Sequence, residues 1–327
     1  MLGGAAAAIA AVTVPAGAKA RFVYKYGNNL PPSHPLNRRA AEAAQRIRAA
    51  TGGELDIRIF PANQLGGDNS MLNQVRAGAL EFYTPSALGI ATLVPTASIN
   101  AVGFAFSDYQ TVWSAMDGEL GAYIAAEIDK AGLYMMSRVW DNGFRQITTS
   151  DRPINAPRDL DGMKIRVPVS RLPIGLFEAL GATPTGMQFS EVYTALQTHV
   201  VDGQENPLPI IEASKLYEVQ NFTSITNHIW DGFLFVASGA AWYRLPPDIR
   251  RIAEATFNRC ALAQRADIAA LNASVRTMLT AHGMHFVEPD PAPFKAVLRQ
   301  KGFYRLWRER FGGAAWSRLE RYVGRLV

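Results

Sequence analysis

The sequence has little of what disulfides and metal centres require. One of its 327 residues is a cysteine, Cys260, which excludes an intrachain disulfide and a cysteine-based metal cluster. Cys260 falls in a helical pattern and is interpreted as a buried, inert thiol. The five histidines show no metal-ligand spacing; they are His34, His199, His228, His282 and His285. We therefore predict no metal site and no cofactor.

Motifs of catalysis are also missing. The sequence contains no Gly-x-Ser-x-Gly elbow, no His-Glu-x-x-His, no phosphate-binding loop and no dinucleotide fingerprint. Charged residues make up 19% of the chain without runs of one sign, so the net charge of +5 gives little support for nucleic-acid binding. No stretch has the roughly 20 apolar residues of a transmembrane helix. We predict no catalytic residues and no membrane span.

The first residues are apolar and uncharged. Residues 2–14 form a short apolar run, followed by Ala18-Lys19-Ala20. This pattern is typical of a secretory signal peptide with an Ala-x-Ala cleavage site before Arg21, although a basic segment ahead of the run is missing. We predict that residues 1–20 are a signal peptide and that the mature protein is periplasmic. A disordered Ala-rich tail is the alternative.

Alternating strand and helix patterns predict an α/β protein. Leu55, Ile57 and Ile59 alternate with charged residues, as in a strand, and residues 35–50 carry a helical apolar stripe. A second unit of this kind begins near Asp151. The chain is too long for one core and suits two lobes of about 150 residues each. We predict two lobes, each a mainly parallel sheet flanked by helices, with a cleft between them.

A long helical pattern runs from Pro246-Pro247 to Gly283. About 35 residues at 1.5 Å per residue give a helix of ~50 Å, which exceeds the width of a small lobe. We predict that this helix bridges both lobes.

Three polar residues stand at the ends of predicted strands, where ligands of parallel sheets bind. Arg166 closes the strand over residues 163–168, and its planar guanidinium matches a carboxylate. Arg145 lies near the predicted crossover between the lobes, and Asn206 is held extended by Pro207. Structural ion pairs for the arginines, and turn formation for Asn206, are equally compatible with these positions.

Four linked motifs resemble one protein family. They are GFRQITT at residues 143–149, KIRVP at 164–168, FSEVYTALQ at 189–197 and VDGQENP at 201–207. In order and spacing they are similar to the DctP-type solute-binding proteins of tripartite ATP-independent periplasmic (TRAP) transporters. The resemblance continues at residues 64–68, 217–220 and 226–228. It covers nearly the whole chain after the predicted signal peptide.

The resemblance implies a binding protein that captures a small organic acid and delivers it to TRAP membrane subunits. It also implies that an ion gradient, rather than ATP, drives the transport. It also implies two α/β lobes joined by hinge strands and a long helix. We place lobe I at residues 21–142 plus about 232–271, and lobe II at 143–231 plus about 272–327. We expect a monomer.

The resemblance assigns roles to four residues. It implies that Arg166 is the carboxylate clamp and that Arg145 and Asn206 line the site. Phe189 resembles an apolar or stacking wall of that site. These implied roles add to the interpretations that strand position alone left open.

Other polar and aromatic residues bear on the ligand. Amides and carboxylates bond hydroxyl groups, while aromatic rings cover C–H faces, so together they suit a hydroxylated ring. The best hypothesis is a hexuronate such as galacturonate or glucuronate; a C4-dicarboxylate, sialic acid or a keto acid are the alternatives. For any single residue, loop capping or core packing is the competing interpretation. The main candidates are Asp68, Asn28, Asn142 and Trp230, beside Asn29, Asn69, Trp140, Asp141, Asp231 and Phe233.

Two other classes of function stay open. A periplasmic enzyme acting on the same acids would use Asp141, Glu191 or Glu205 as general base. It would need two titratable groups facing one ligand with separated pKa values. A ligand sensor for a signalling partner would use the same pocket as a transport protein.

Overall fold

The computed structural model describes residues 20–327, so the predicted signal peptide lies outside the described residues except for its last one. Within that range the strands are β1 (Phe22–Gly27), β2 (Leu55–Phe60), β3 (Phe82–Tyr83), β4 (Leu133–Met135), β5 (Trp140–Thr149), β6 (Lys164–Val167), β7 (Thr183–Gly186), β8 (Gly203–Pro207), β9 (Phe222–Phe233), β10 (Val236–Ser238) and β11 (His285–Val287). The α-helices are α1 (Pro35–Ala50), α2 (Asp68–Ala77), α3 (Ala87–Ile90), α4 (Tyr109–Met116), α5 (Glu119–Lys130), α6 (Arg171–Ala179), α7 (Val192–Gln197), α8 (Leu208–Ala213), α9 (Gly239–Arg244), α10 (Pro247–Ala281), α11 (Pro291–Gln300), α12 (Phe303–Phe311) and α13 (Gly313–Val323).

The strands form two sheets flanked by helices. Sheet A has the order β2-β1-β3-β10-β4, and sheet B the order β11-β9-β5-β8-β6-β7. Strand β1 pairs in parallel with β2 and β3, and β6 pairs in parallel with β7 and β8. Strands β10 and β5 run antiparallel to both of their neighbours. The predicted two-lobe α/β architecture is confirmed. Both sheets are mixed, because strands that cross from the other lobe enter them antiparallel.

Strands β5 and β9 connect the two lobes. They pair antiparallel from Trp140 opposite Phe233 to Thr149 opposite Phe222, with register shifts beside Gly143 and after Arg145. The chain passes from sheet A into sheet B through β5 and returns through β9. The predicted lobe boundaries, 142/143 and 231/232, fall inside these strands, and the exact division stays a prediction.

Helix α10 has 35 residues and begins with Pro247 in its first turn, where the missing N–H costs no hydrogen bond. Its first half packs with sheet A through Ile249 and Phe257, and its second half packs with α7 and α8 through Val275 and Leu279. The predicted bridging helix is confirmed.

The C-terminal helices also touch both halves of the molecule. Helix α12 packs on α6, whereas α13 packs on α4 and α5. Segment 272–327, predicted as part of lobe II, therefore contacts elements of both predicted lobes. No helix within residues 20–327 is long and apolar enough to cross a membrane.

Two helices of the first lobe begin differently. The N-cap of α1 is His34, whose Nδ1 accepts a hydrogen bond from the Leu36 N–H at 3.2 Å. The N-cap of α2 is Gly67, which has no side chain to accept from the first turn. The N-terminus of helix α2 therefore has no hydrogen bond to an N-cap side chain.

Candidate functional site

A pocket lies between the two sheets, at the carboxyl ends of β1, β3, β6 and β8. It holds about 560 Å³ of space, part of which is open to solvent. Its place follows from the fold, because the loops after parallel strands gather at one edge of a sheet. Six of the eight predicted site residues line it: Arg166, Arg145, Asn206, Phe189, Asp68 and Asn142.

Arg166 reaches the pocket from β6 and has no carboxylate partner among residues 20–327. Its side chain is 2% exposed, and its Nε and Nη2 donate to the backbone oxygen of Met187 at 3.0 and 2.7 Å. The guanidinium carbon lies 5.7 Å from the centre of the Phe189 ring. Among the hydrogen bonds and ion pairs of residues 20–327, none uses its Nη1. Burial lowers the pKa of Arg166 to about 10, although distant carboxylates such as Glu205 oppose this effect.

Arg145 is buried to the same degree but is paired. Its Nη2 donates to Glu205 Oε1 at 2.8 Å and to the Glu205 backbone oxygen at 2.7 Å, while Nε donates to Oε2. Nη1 donates to Asp231 Oδ2 at 3.3 Å, and Nη2 also reaches Asn206 Oδ1 at 3.2 Å. Burial lowers the pKa of Arg145, because it disfavours the charged form. The carboxylates of Glu205 and Asp231 outweigh this effect, so the pKa of Arg145 is raised.

His228 completes this buried network. Its Nε2 lies 3.2 Å from Glu205 Oε2, and its Nδ1 lies 2.7 Å from the Thr226 hydroxyl. Because a carboxylate can only accept, Nε2 carries the hydrogen and Nδ1 accepts from Thr226. Burial lowers the pKa of His228, which keeps the ring neutral. Every guanidinium nitrogen of Arg145 thus donates to a neighbouring oxygen, while Asp231 Oδ1 is buried without a donor among residues 20–327.

Asp68 marks the sheet A side of the pocket. Its Oδ1 accepts from Asn29 Nδ2 at 2.9 Å and from the Tyr83 hydroxyl at 3.1 Å. The Oδ1 atom of Asn29 is buried with no donor among the described residues. On β5 of sheet B, the Oδ1 atom of Asn142 is also buried with no donor among residues 20–327, although its Nδ2 donates to Asp231 Oδ2 at 3.1 Å. Two lining residues, one from each side, therefore have amide oxygens that lack donors.

Asn206 and Phe189 form parts of the sheet B side. The amide of Asn206 lies between Arg145 and Gln204, accepting from the former and donating to the latter. Phe189 begins a short 3-10 turn that leads into α7, and its ring faces the guanidinium of Arg166. Arg166, Asn206 and Phe189 therefore line the same side of the pocket.

The remaining two predicted residues lie elsewhere. Asn28 is fully buried behind the pocket. Its Nδ2 donates to Asn37 Oδ1 at 2.8 Å, and its Oδ1 accepts from the backbone N–H of Leu30. Trp230 points into the core beside the pocket, with its Nε1 donating to Asp141 Oδ1 at 3.2 Å. Strand alternation explains both positions, because neighbouring residues on a strand or its extension face opposite sides.

Several lining residues were not predicted from the sequence. Tyr83 ends β3, and Ser86 is the N-cap of α3, so both stand where loops after strands gather. A position at or just after the end of a predicted strand is the sequence signal that could have identified these two residues. Met187 and Gln188 follow β7, a short strand whose sequence gives no clear alternation.

The pocket therefore combines a buried cation with oxygen acceptors. Arg166 lies on the sheet B side, whereas Asp68 and Asn29 lie on the sheet A side and Asn142 lies on β5. No cluster of three or more potential metal ligands occurs within residues 20–327. This arrangement can hold an acid and its hydroxyl groups.

The sequence profile of the bacterial extracellular solute-binding proteins, family 7 (DctP), matches residues 26–308. The chain belongs to this family. It is 36% identical over 246 residues to the uncharacterized protein y4mM of Sinorhizobium fredii, a match that spans 75% of this chain and 45% of y4mM. It is 34% identical to the 2,3-diketo-L-gulonate-binding periplasmic protein YiaO of Escherichia coli, over 63% of this chain and 62% of YiaO. The chain thus covers less than two thirds of these two relatives.

Solved structures show the same fold. A TRAP periplasmic solute-binding protein from Roseobacter denitrificans with bound β-D-glucuronate superposes with a TM-score of 0.87 at 30% identity, covering 92% of this chain and 99% of that one. Another from Sulfurospirillum deleyianum with bound succinate gives 0.86 at 26% identity, with the same coverage. The family and these solved relatives are binding proteins rather than enzymes.

Proposed function

We propose that this protein captures a small hydroxylated acid, a hexuronate such as glucuronate or galacturonate, in the periplasm and delivers it to the membrane subunits of a TRAP transporter. The observation that carries this proposal is Arg166, a buried cation in the pocket wall with no carboxylate partner within residues 20–327. We propose Arg166 as the clamp, with Asn206, Phe189, Asp68 and Asn142 beside the ligand.

An unpaired buried charge is costly, and Arg166 has part of that cost relieved by the Met187 carbonyl. A ligand carboxylate would supply the missing counter-charge. The planar guanidinium fork makes such contacts directional and stronger than those of neutral groups. The ring of Phe189, 5.7 Å from the guanidinium carbon, lies within the range of a cation–π interaction with Arg166.

Two acceptors in the pocket lining support a hydroxylated ligand. Asn29 Oδ1 and Asn142 Oδ1 have no donors within the described part of the chain, and hydroxyl groups would supply them. The second carboxylate of a C4-dicarboxylate would instead face these oxygens and Asp68. YiaO and the Roseobacter denitrificans structure, whose names state a sugar-derived acid, agree with this preference.

A thermal-shift screen tests the ligand class. The panel is D-glucuronate, D-galacturonate, D-galactonate, N-acetylneuraminate, pyruvate and succinate at equal concentration, with Arg166→Ala protein as control. A ligand at 100 times its Kd stabilises the folded state by about 2.7 kcal/mol. We expect the hexuronates to give the largest increase in melting temperature. A shift with succinate alone would contradict the proposed ligand class.

Transport is tested separately from binding. Proteoliposomes that contain TRAP membrane subunits with their periplasmic face outward should take up labelled hexuronate only when this protein is added outside. The same protein incubated with the acid should return it chemically unchanged.

A further inference from the structure

Helix α2 begins without a cap from its own lobe. The first N–H groups of a helix have no partner within the helix, and the N-cap side chain usually accepts from one of them. Helices α1, α3 and α4 receive this bond from His34, Ser86 and Asp108. Helix α2 starts after Gly67, which cannot provide it.

Gln188 supplies the missing acceptor from the other side of the cleft. Its Oε1 accepts from the backbone N–H of Asn69, the second residue of α2, at 3.4 Å. Helix α2 packs on β3 and β10 of sheet A, whereas Gln188 follows β7 of sheet B. The contact therefore joins the two lobes at the rim of the pocket. At this length it is a weak hydrogen bond.

Gly67 leaves room for this contact. A Cβ atom at position 67 would lie 2.3 Å from Oε1 of Gln188, closer than two such atoms can approach. The backbone of Gly67 has φ −67° and ψ 172°, which any L-residue adopts without strain. The backbone does not require glycine at this position, but a side chain here would push the end of the Gln188 side chain away from α2.

Gln188 is also connected to the clamp. The residue before it, Met187, accepts both hydrogen bonds from Arg166, and the residue after it, Phe189, faces the guanidinium. A ligand that fixes Arg166 would fix the chain on both sides of Gln188. Ligand capture and the contact with α2 are therefore coupled through three consecutive residues.

We propose that Gln188 and the first turn of α2 form a latch between the lobes. Opening of the cleft separates Gln188 from Asn69, so the cap exists in the closed form alone and slows ligand release. Gln188 acts as a positioning residue for closure. The proposal rests on the proposed function to the extent that the enclosed ligand is an acid held by Arg166.

Gly67→Ser isolates the latch, because Gly67 is not among the residues that line the pocket. A serine at the N-cap accepts from the first turn itself, and its Cβ displaces Gln188. We expect Gly67→Ser to raise the melting temperature without ligand and yet to release D-glucuronate faster. Gln188→Ala should also release it faster. Because this hydrogen bond is weak, its loss should increase the dissociation rate constant roughly two- to threefold, at the lower end of the range for neutral hydrogen bonds.

The measurements are stopped-flow dissociation and calorimetric titration with D-glucuronate on wild type, both single variants and the double variant. We expect the double variant to match Gln188→Ala, since each change removes the same contact. Gly313→Ser and Gln300→Ala are matched controls, because Gly313 has open space around a new Cβ and Gln300 is exposed at the end of α11. Additive effects in the double variant, or wild-type release by Gly67→Ser, would overturn the latch.

A ligand-independent measurement separates this inference from the proposed function. Spin labels at exposed positions on each lobe, Asn73→Cys and Thr194→Cys, report the distance between the lobes. The single native cysteine, Cys260, is buried and does not compete. We expect a smaller closed fraction in Gly67→Ser and Gln188→Ala than in wild type, with or without acid. Equal closed fractions overturn the latch, whereas failure of every acid to bind contradicts the proposed ligand alone.

Discussion

Arg145 and Glu205 form a two-pronged ion pair in which both side chains are buried. Two guanidinium nitrogens of Arg145 donate to the two carboxylate oxygens, and Asp231 accepts from the third. Arg166 is buried to the same degree, yet its hydrogen bonds within residues 20–327 go to the carbonyl of Met187. Carboxylates of the protein neutralise the charge of Arg145, whereas none within residues 20–327 pairs with Arg166. Arg145 should therefore contribute mainly to the stability of the fold, and Arg166 mainly to the affinity for the ligand.

Arg166→Ala should reduce affinity for D-glucuronate without destabilising the unliganded protein. Truncation of a buried charged contact costs about 2–5 kcal/mol, which is a loss of roughly 30-fold to several thousand-fold. Arg166→Lys should recover part of the loss, because an ammonium keeps the charge but not the planar fork. Calorimetric titration gives the affinities, with exposed Arg305→Ala as control. Affinity near that of wild type in Arg166→Ala would remove the basis of the proposed function.

Arg145→Ala should destabilise the protein in the absence of ligand. The variant leaves the carboxylates of Glu205 and Asp231 buried without their counter-charge. Breaking such a pair costs about 3–5 kcal/mol. Urea denaturation of the unliganded variant measures this loss, with Arg166→Ala as the comparison. Unchanged stability together with lost binding would place Arg145 among the ligand contacts instead.

The stability of the fold should depend on the titration of Asp141. Burial raises the pKa of Asp141 from 3.8 to about 7, although hydrogen bonds from Trp230 and Tyr109 oppose the rise. Between these two pH values the folded state holds more protons than the unfolded state. The contribution of Asp141 to the free energy of unfolding therefore falls as pH rises from about 4 to 7.

Asp141→Asn isolates this dependence. The stability of wild type relative to the variant should fall by at most about 4 kcal/mol between pH 4 and 8, since one pKa unit corresponds to 1.36 kcal/mol. The buried histidines His34 and His228 have lowered pKa values and act in the opposite direction, but they are common to both proteins. Urea denaturation at several pH values measures the difference. A constant difference across this range would contradict the raised pKa.

Ligand should close the cleft. Neither sheet alone surrounds the pocket, so an enclosed acid requires both lobes, and hinge closure is a common solution. Small-angle scattering should give a smaller radius of gyration with saturating D-glucuronate than without it. Arg166→Ala protein should show no change under the same conditions. An equal radius for wild type in both states would indicate a preformed pocket.

The sequence predicted the elements that have a strong local pattern. Helix α10 shows apolar periodicity over its whole length, and the strand around Arg166 shows clear alternation. The mixed sheets could not be predicted in this way, since the direction of β5 and β10 depends on which lobe the chain has come from. Local patterns do not contain that information.

The site shows the same division. Arg166, at a strand end, and Asn206, before a proline, have positions that the sequence makes visible. Asn28 and Asn29 are adjacent and chemically alike, yet Asn29 lines the pocket and Asn28 holds a loop in place. The ion pair of Arg145 joins residues 60 positions apart, and burial of both partners follows only from the tertiary structure.

Helix α10 limits where the molecule can bend. Sharp kinks in helices occur almost always at proline, at glycine-serine pairs or at local bulges. After Pro247 in its first turn, α10 contains neither proline nor glycine. Strand β5 has the opposite character, with Gly143 at φ +121° between two register shifts. We therefore expect the helix to stay rigid and β5 to act as the hinge. The angle through which the lobes close would then depend on a few backbone torsions around Gly143.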